Sequence, residues 1–150
     1  MELCNLKAKD LLKRFRSKDC SPVEALQSAL ARIETSDDQL NAFRFIDRES
    51  ALAAARASEM RWMRNEPRGP LDGIAISIKD VLLTKGWSTR LGSKVTSDIG
   101  LWEEDAPPVA RLREAGAVFI GKTNTSEFHW KTVTDSPLTG ITRNPWQRLL

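Results

Sequence analysis

The chain is poor in the residues on which most metal and disulfide chemistry depends. It has two cysteines, Cys4 and Cys20, among 150 residues. That count excludes a disulfide-dense scaffold and a multi-cysteine zinc site. His129 is the single histidine, so no mechanism that needs a histidine cluster is open, and neither a metal nor a cofactor is expected. No run approaches the roughly 18 apolar residues of a membrane helix. The opening MELCNLKAKD lacks the apolar stretch of a secretory signal. These absences lead us to expect a cytoplasmic protein without a membrane partner. Excess charge of one sign is missing too: 23 Lys+Arg against 20 Asp+Glu leave +3. The densest basic stretch, Lys7 to Lys18, reads as the solvated face of a helix, and no nucleic-acid partner is expected.

What is present suits one globular domain, or a piece of one: 41% of residues are hydrophobic and 29% charged. Ala8, Leu11, Leu12 and Phe15 form one apolar stripe and predict a helix over residues 6–17. Ser21-Pro22-Val23-Glu24 combines a Ser cap, Pro at the first helical position and Glu three residues after the cap. The helix it opens buries Val23, Leu26, Leu30 and Ile33 and is expected to end at Thr35–Asp38. Residues 41–46 read as a short strand. The Ala-rich run ESALAAARASEMRWMR predicts a third helix, and Asn65 to Pro70 breaks it.

Beyond that breaker the pattern becomes strand and helix in alternation. Ile74, Ile76 and Ile78 fall on one strand face, with Ala75, Ser77 and Lys79 on the other. Residues 84–100 read as a long loop. Asp105 is placed to cap a helix running through Ala115, with Gly116 at its exit. Ala117 to Lys122 predicts a buried strand, Thr125 a cap for a helical turn over 126–131, and residues 135–146 a turn-rich segment. The fold class is therefore α/β, with N-terminal helices (about 1–66) followed by β/α alternation (about 69–146).

Lys79 is the most informative single residue. It ends an apolar strand, and in α/β sheets sites form outside the carboxyl ends of strands. An amine desolvated by apolar neighbours can serve as a base. A strand-end lysine can also reach out to solvent, and spacing alone favours that reading. Ser88, Ser93 and Ser136 sit in turn-rich stretches where serine makes local hydrogen bonds, so none is taken as a nucleophile. Gly121-Lys122-Thr123 lacks the upstream glycine of a phosphate loop. Trp87, Trp102, Trp130 and Trp146 are scattered, as core and pocket-wall residues would be.

GPLDGIAISIKD, residues 69–80, resembles the block of the amidase signature family in which a Gly-Pro-Leu turn precedes the strand of the catalytic lysine. Trp87-Ser88-Thr89 and Leu91-Gly92-Ser93 are similar to the loop that follows it. EEDAPPVARLREAGAVFIGKTNTSEF and TDSPLTGITRNPW resemble the next segments, in order. The resemblance implies a mixed sheet covered by helices, of which this chain supplies an incomplete part, and a Ser–cis-Ser–Lys triad that cleaves carboxamide C–N bonds. It assigns the lysine role to Lys79 and places His129 beside a substrate pocket. It implies a small-molecule amide substrate and no cofactor.

The resemblance does not carry over the two serines. No Gly-Gly-Ser-Ser run occurs in these 150 residues, and Gln147-Arg148-Leu149-Leu150 follows Trp146. The chain alone is therefore expected to be inactive. Two alternatives stand beside the amidase reading. One is a non-catalytic remnant that binds partners, or itself, through an exposed sheet. The other is a portion of the amidase-type subunit of a tRNA-dependent amidotransferase, although TDSPLTGITRNPW looks more like general amidases.

Overall fold

The Ser21-Pro22-Val23-Glu24 signal works as its residue types require. The Ser21 N–H donates to the Glu24 carboxylate at 2.8 Å, and the Glu24 N–H returns a bond to Ser21 Oγ at 3.2 Å. This reciprocal cap satisfies two amides that the first helical turn would leave open. The computed structural model describes residues 2–96 and 100–146. Its helices are α1 (Ala8–Ser17), α2 (Pro22–Leu40), α3 (Arg48–Met63) and α4 (Pro107–Glu114).

Several boundaries differ from the sequence expectation, each for a local reason. A 3-10 turn over Leu3–Asn5 precedes α1, so the helix starts at Ala8 instead of residue 6. Of its apolar stripe, Phe15 alone is fully buried. Helix α2 runs past Thr35–Asp38 to Leu40, burying Ala25, Leu26 and Leu30 while Val23 and Ile33 stay half-buried. It ends where Asn41 turns left-handed at φ 51 and Asp37 accepts the Ala42 amide at 2.7 Å. Helix α4 begins at Pro107, two residues after Asp105, whose carboxylate accepts the Lys85 amide at 2.7 Å. Thr125 caps nothing, because its hydroxyl is buried without a hydrogen-bond partner. The loop expected over 84–100 contains a 3-10 turn, Lys94–Thr96, and its residues 97–99 lie outside the described residues.

Strands β1 (Phe43–Ile46), β2 (Ala75–Lys79) and β3 (Val118–Thr123) form one sheet in the order β1-β3-β2. β1 and β3 are antiparallel, pairing Phe43 with Thr123 and Ile46 with Gly121. β2 and β3 run in the same direction. The Val118 amide bonds the Ile74 carbonyl at one end, and the Asp80 amide bonds the Thr123 carbonyl at the other. The sheet is thus mixed, and α4 is the crossover between its parallel strands, as parallel pairing requires. Residues 135–146, expected as turns, include a short hairpin of β4 (Asp135–Ser136) and β5 (Gly140–Ile141).

The chain divides into two units, each built from separated segments. The first comprises Met1–Thr35, Asp47–Ile76 and Arg111–Ile120. Its core joins Phe15, Ala25, Trp62 and Ile74, with Leu11, Leu12, Leu71 and Ile76 packed around them. The Phe15 and Trp62 rings meet at 6.0 Å in a tilted arrangement. Gly116 has φ 90, and a Cβ there would come within 2.8 Å of Asp72, so the turn after α4 admits no side chain.

The second unit comprises Ser36–Ile46, Ser77–Ala110 and Gly121–Leu150. It holds the C-terminal half of β2, hence Lys79. Among the described residues no helix is long and apolar enough to cross a membrane.

Candidate active site

Lys79 closes β2, and alternation leaves its side chain half-buried while Ile78 beside it is 2% exposed. Its Nζ lies 2.8 Å from His129 Nδ1. The structure therefore brings together the two residues that the sequence singled out, although fifty positions separate them. Among the described residues no three or more His, Cys, Asp or Glu could together hold a metal ion.

Directly behind Lys79 the structure reveals a buried charge cluster that sequence reasoning missed. Asp80 is 1% exposed and Lys122 fully buried. Arg44, from β1, places its Nε 2.9 Å from Asp80 Oδ2. That contact lacks hydrogen-bond alignment, and Asp80 Oδ1 has no hydrogen-bond partner. The Lys122 ammonium stands 4.0 Å from Oδ1. It donates instead to the Leu82 carbonyl and, at 2.9 Å, to Thr89 Oγ1. Arg44 also donates to the Ser88 carbonyl at 2.7 Å.

Burial governs the electrostatics here. It pushes the Asp80 carboxyl above its ordinary range, although Arg44, Lys122 and the Arg90 amide act in the opposite sense. It lowers Lys122 to about 8, with Asp80 and Asp105 partly restoring the charged form and Arg44 opposing it. It lowers Arg44 as well. Three charges share one desolvated volume and none is fully compensated. The signal in the sequence was a lysine inside the apolar strand Ala117-Val118-Phe119-Ile120-Gly121-Lys122: a buried cation requires a buried partner.

Asp80 also ties the main chain just after Lys79 to the loop that follows. The Asp80 carbonyl accepts the Leu91 amide at 3.2 Å, and its carboxylate accepts the Arg90 amide at 3.2 Å. The Trp87–Thr89 and Leu91–Ser93 words are thereby tied to the end of β2. Gly92, at φ 64, lets this loop approach the Thr125 carbonyl so closely that a Cβ would lie 2.6 Å from it. Ser93 donates to the Glu127 carboxylate at 2.7 Å.

Of the three serines considered as nucleophiles, Ser136 has the local bond expected of it, contacting Thr139 Oγ1 at 2.9 Å. The Ser88 hydroxyl accepts from Arg44 at 3.4 Å and Ser93 donates to Glu127 at 2.7 Å, both with partners more than thirty residues away. A groove of about 700 Å³ opens between the Glu127–Lys131 turn and the β4–β5 hairpin, walled by Phe128, Trp130, Pro137 and Ile141. The His129 ring meets Lys79, and its chain neighbours form the groove wall. Trp87, half-buried, packs edge-on against Phe45 at 5.2 Å. Trp130 and Trp146 are instead 91% and 93% exposed.

Comparison with known proteins places this arrangement. The model of the Amidase family matches residues 24–150. The chain is 42% identical over 147 residues to the A subunit of glutamyl-tRNA(Gln) amidotransferase from Salinispora tropica, covering 97% of this chain and 29% of that protein. The corresponding protein of Syntrophobacter fumaroxidans is 44% identical over 139 residues, covering 93% and 28%. The solved peptide amidase from Stenotrophomonas maltophilia superposes with a TM-score of 0.85 at 31% identity, covering 95% of this chain and 30% of that one. The chain thus spans less than a third of the length of these relatives. The names of the two amidotransferase relatives favour that alternative over the general amidase that TDSPLTGITRNPW had suggested. The match over residues 24–150 shows that the chain belongs to the Amidase family.

Proposed function

We propose that this chain is the lysine-bearing portion of an amide-cleaving enzyme of the glutamyl-tRNA(Gln) amidotransferase kind. The observation that carries this reading is the similarity to the Salinispora tropica amidotransferase protein, which extends over 97% of the chain and so includes the Lys79 strand and the loops around it. Lys79 is the general base. In its neutral form it takes the proton of a bridging serine, which activates a second serine. That serine attacks a carboxamide carbonyl and expels the nitrogen as ammonia, and water then frees the acyl group. Both serines belong to the serine-rich block expected after Trp146, and the 150-residue chain by itself does not turn over amides. Helical residues 1–66 and β/α residues 69–146 are parts of one such incomplete domain. The relatives are named as A subunits, so this reading also supplies a protein partner, and it carries the cytoplasmic setting expected from the sequence.

The test joins this chain after Trp146 to the remainder of the Salinispora tropica amidotransferase protein. The joined protein should hydrolyse a carboxamide, and Lys79→Ala should lower turnover by about 10²–10⁴-fold while leaving the circular dichroism unchanged. Turnover by the purified 150-residue chain would contradict the account.

One observation favours a second reading, that of an interaction module. Phe128, Trp130, Val133, Ile141 and Trp146 are all exposed large apolar side chains of the second unit. Self-association on size exclusion with bright binding of a hydrophobic dye would support it. Clean monomeric behaviour would count against it.

A further inference from the structure

The backbone around His129 is unusual. Phe128 and His129 both adopt the left-handed region, at φ 49 and φ 60. One non-glycine residue there is uncommon; two in succession persist only where surrounding bonds over-determine them. Here they do. The Phe128 amide donates to the Leu91 carbonyl at 2.8 Å, and the His129 amide to the Ser126 carbonyl at 3.0 Å. Ser126 Oγ donates to the Lys131 carbonyl at 3.0 Å, and buried Ser93 holds the Glu127 carboxylate. The close approach of Gly92 to Thr125 keeps the turn against the loop that follows β2. The result of this conformation is an imidazole with Nδ1 at 2.8 Å from Lys79 Nζ.

We propose that His129 is a positioning residue for Lys79: its imidazole anchors the amine at one point and fixes the direction of the remaining N–H bonds. This rests on the reading of Lys79 as the base. An ammonium has donors and no acceptor, so with Lys79 charged the ring proton sits on Nε2 and Nδ1 accepts. With Lys79 neutral one of its two N–H bonds still donates to Nδ1, and the amine lone pair stays free to take the serine proton. In either case one Nζ–Nδ1 bond is made, and the other two positions on Nζ remain for the serines.

The single histidine makes the test unambiguous. In the 150-residue chain labelled with 15N-histidine there is one pair of ring resonances. Lys79→Met should displace the Nδ1 resonance while the backbone amides of β2 and β3 keep their positions. Lys131→Met, which removes a cation paired with Asp135, should leave Nδ1 where it is. Lys79 Cε relaxation should show an ordered side chain in the parent and a mobile one in His129→Leu. His129→Asn should restore the order, since its amide oxygen falls near the Nδ1 position and Asn tolerates positive φ. An Nδ1 resonance indifferent to Lys79→Met overturns the pairing. Equal order of Lys79 in the parent and in His129→Leu overturns the positioning role. Loss of the base reading shows separately, as full turnover by the Lys79→Ala joined protein, and leaves the pair itself standing.

Discussion

Two buried aspartates, each beside an arginine, are held in opposite ways in the two units of this molecule. Asp72, in the first unit, is 0% exposed, and Asp80, in the second, is 1% exposed. Arg61 grips Asp72 with two parallel bonds, Nε at 2.9 Å and Nη2 at 2.5 Å, and the Arg68 amide adds a third at 2.7 Å. Burial alone would raise this carboxyl. The Arg61 fork and the Arg68 amide outweigh it and hold Asp72 below its ordinary range. Asp80 has an arginine, an ammonium and an amide, yet burial wins and its carboxyl is raised. The difference is geometry. A fork aligned on both oxygens outweighs burial, whereas an unaligned Nε and a distant ammonium act in the same sense but fall short of it. A carboxylate whose bonds are complete reads as structure; one left incomplete beside a half-buried lysine reads as a site.

The largest expected effect sharpens this contrast. Asn has the shape of a neutral aspartate, so the substitution should cost most where the fold favours charge. Asp72→Asn should destabilise by about 3 kcal/mol in urea unfolding, as breaking an inner ion pair does. Asp80→Asn should cost about 1 kcal/mol, the scale of a perturbed hydrogen bond. Equal costs, or the reverse order, would break the comparison.

Next comes Lys122→Met. It relieves the burial of a cation but leaves the Leu82 carbonyl and Thr89 hydroxyl without their donor, so the net loss should be about 1 kcal/mol at neutral pH. Its clearer effect is on pH dependence. Lys122 titrates near 8 in the fold, below the ordinary lysine value of 10.5. The contribution of a depressed lysine is present above 10.5 and is lost as pH falls through about 8. Parent minus Lys122→Met stability should therefore rise between those two pH values. A flat difference would place the ammonium in a solvated setting.

The smallest effect lies in acid, and the two aspartates should oppose each other there. The Asp72 contribution is present above the unfolded value of 3.8 and lost as pH falls through its lowered folded value. The Asp80 contribution, from its neutral form, is present below 3.8 and lost as pH rises through its raised value. Amide exchange at Trp62 should accelerate in acid before exchange at Leu91 does. The opposite order would remove the distinction between the two sites.

Much of the fold was legible because it rests on local rules. The Ser21–Glu24 cap, the alternating isoleucines of β2 and the Gly116 exit are each decided within a few residues. Most of what escaped depends on partners far apart in the chain. Asp105 looked like a cap; α4 begins two residues later, and the Asp105 carboxylate accepts the Lys85 amide across twenty residues. One local signal escaped as well: Asp37 accepts the Ala42 and Phe43 amides, and helix α2 runs past Thr35–Asp38 to Leu40. The hairpin at Asp135–Ile141 carries no apolar alternation, and its support comes from Asn41, whose amide donates to the Thr139 carbonyl at 2.7 Å. The site divided in the same way. The alternation around Lys79 put it at a strand end, and the role proposed for it came from the family resemblance. The contact of Lys79 with His129 depends on two left-handed residues, and the Arg44–Asp80–Lys122 cluster joins three strands or strand ends; neither is a pattern within a window of sequence.

The most direct test of the central claim is carboxamide turnover by the joined protein with and without Lys79. The account predicts ammonia release by the parent and loss of about 10²–10⁴-fold in Lys79→Ala with the fold retained. Undiminished turnover in that variant would show that the amine at the end of β2 is not the base.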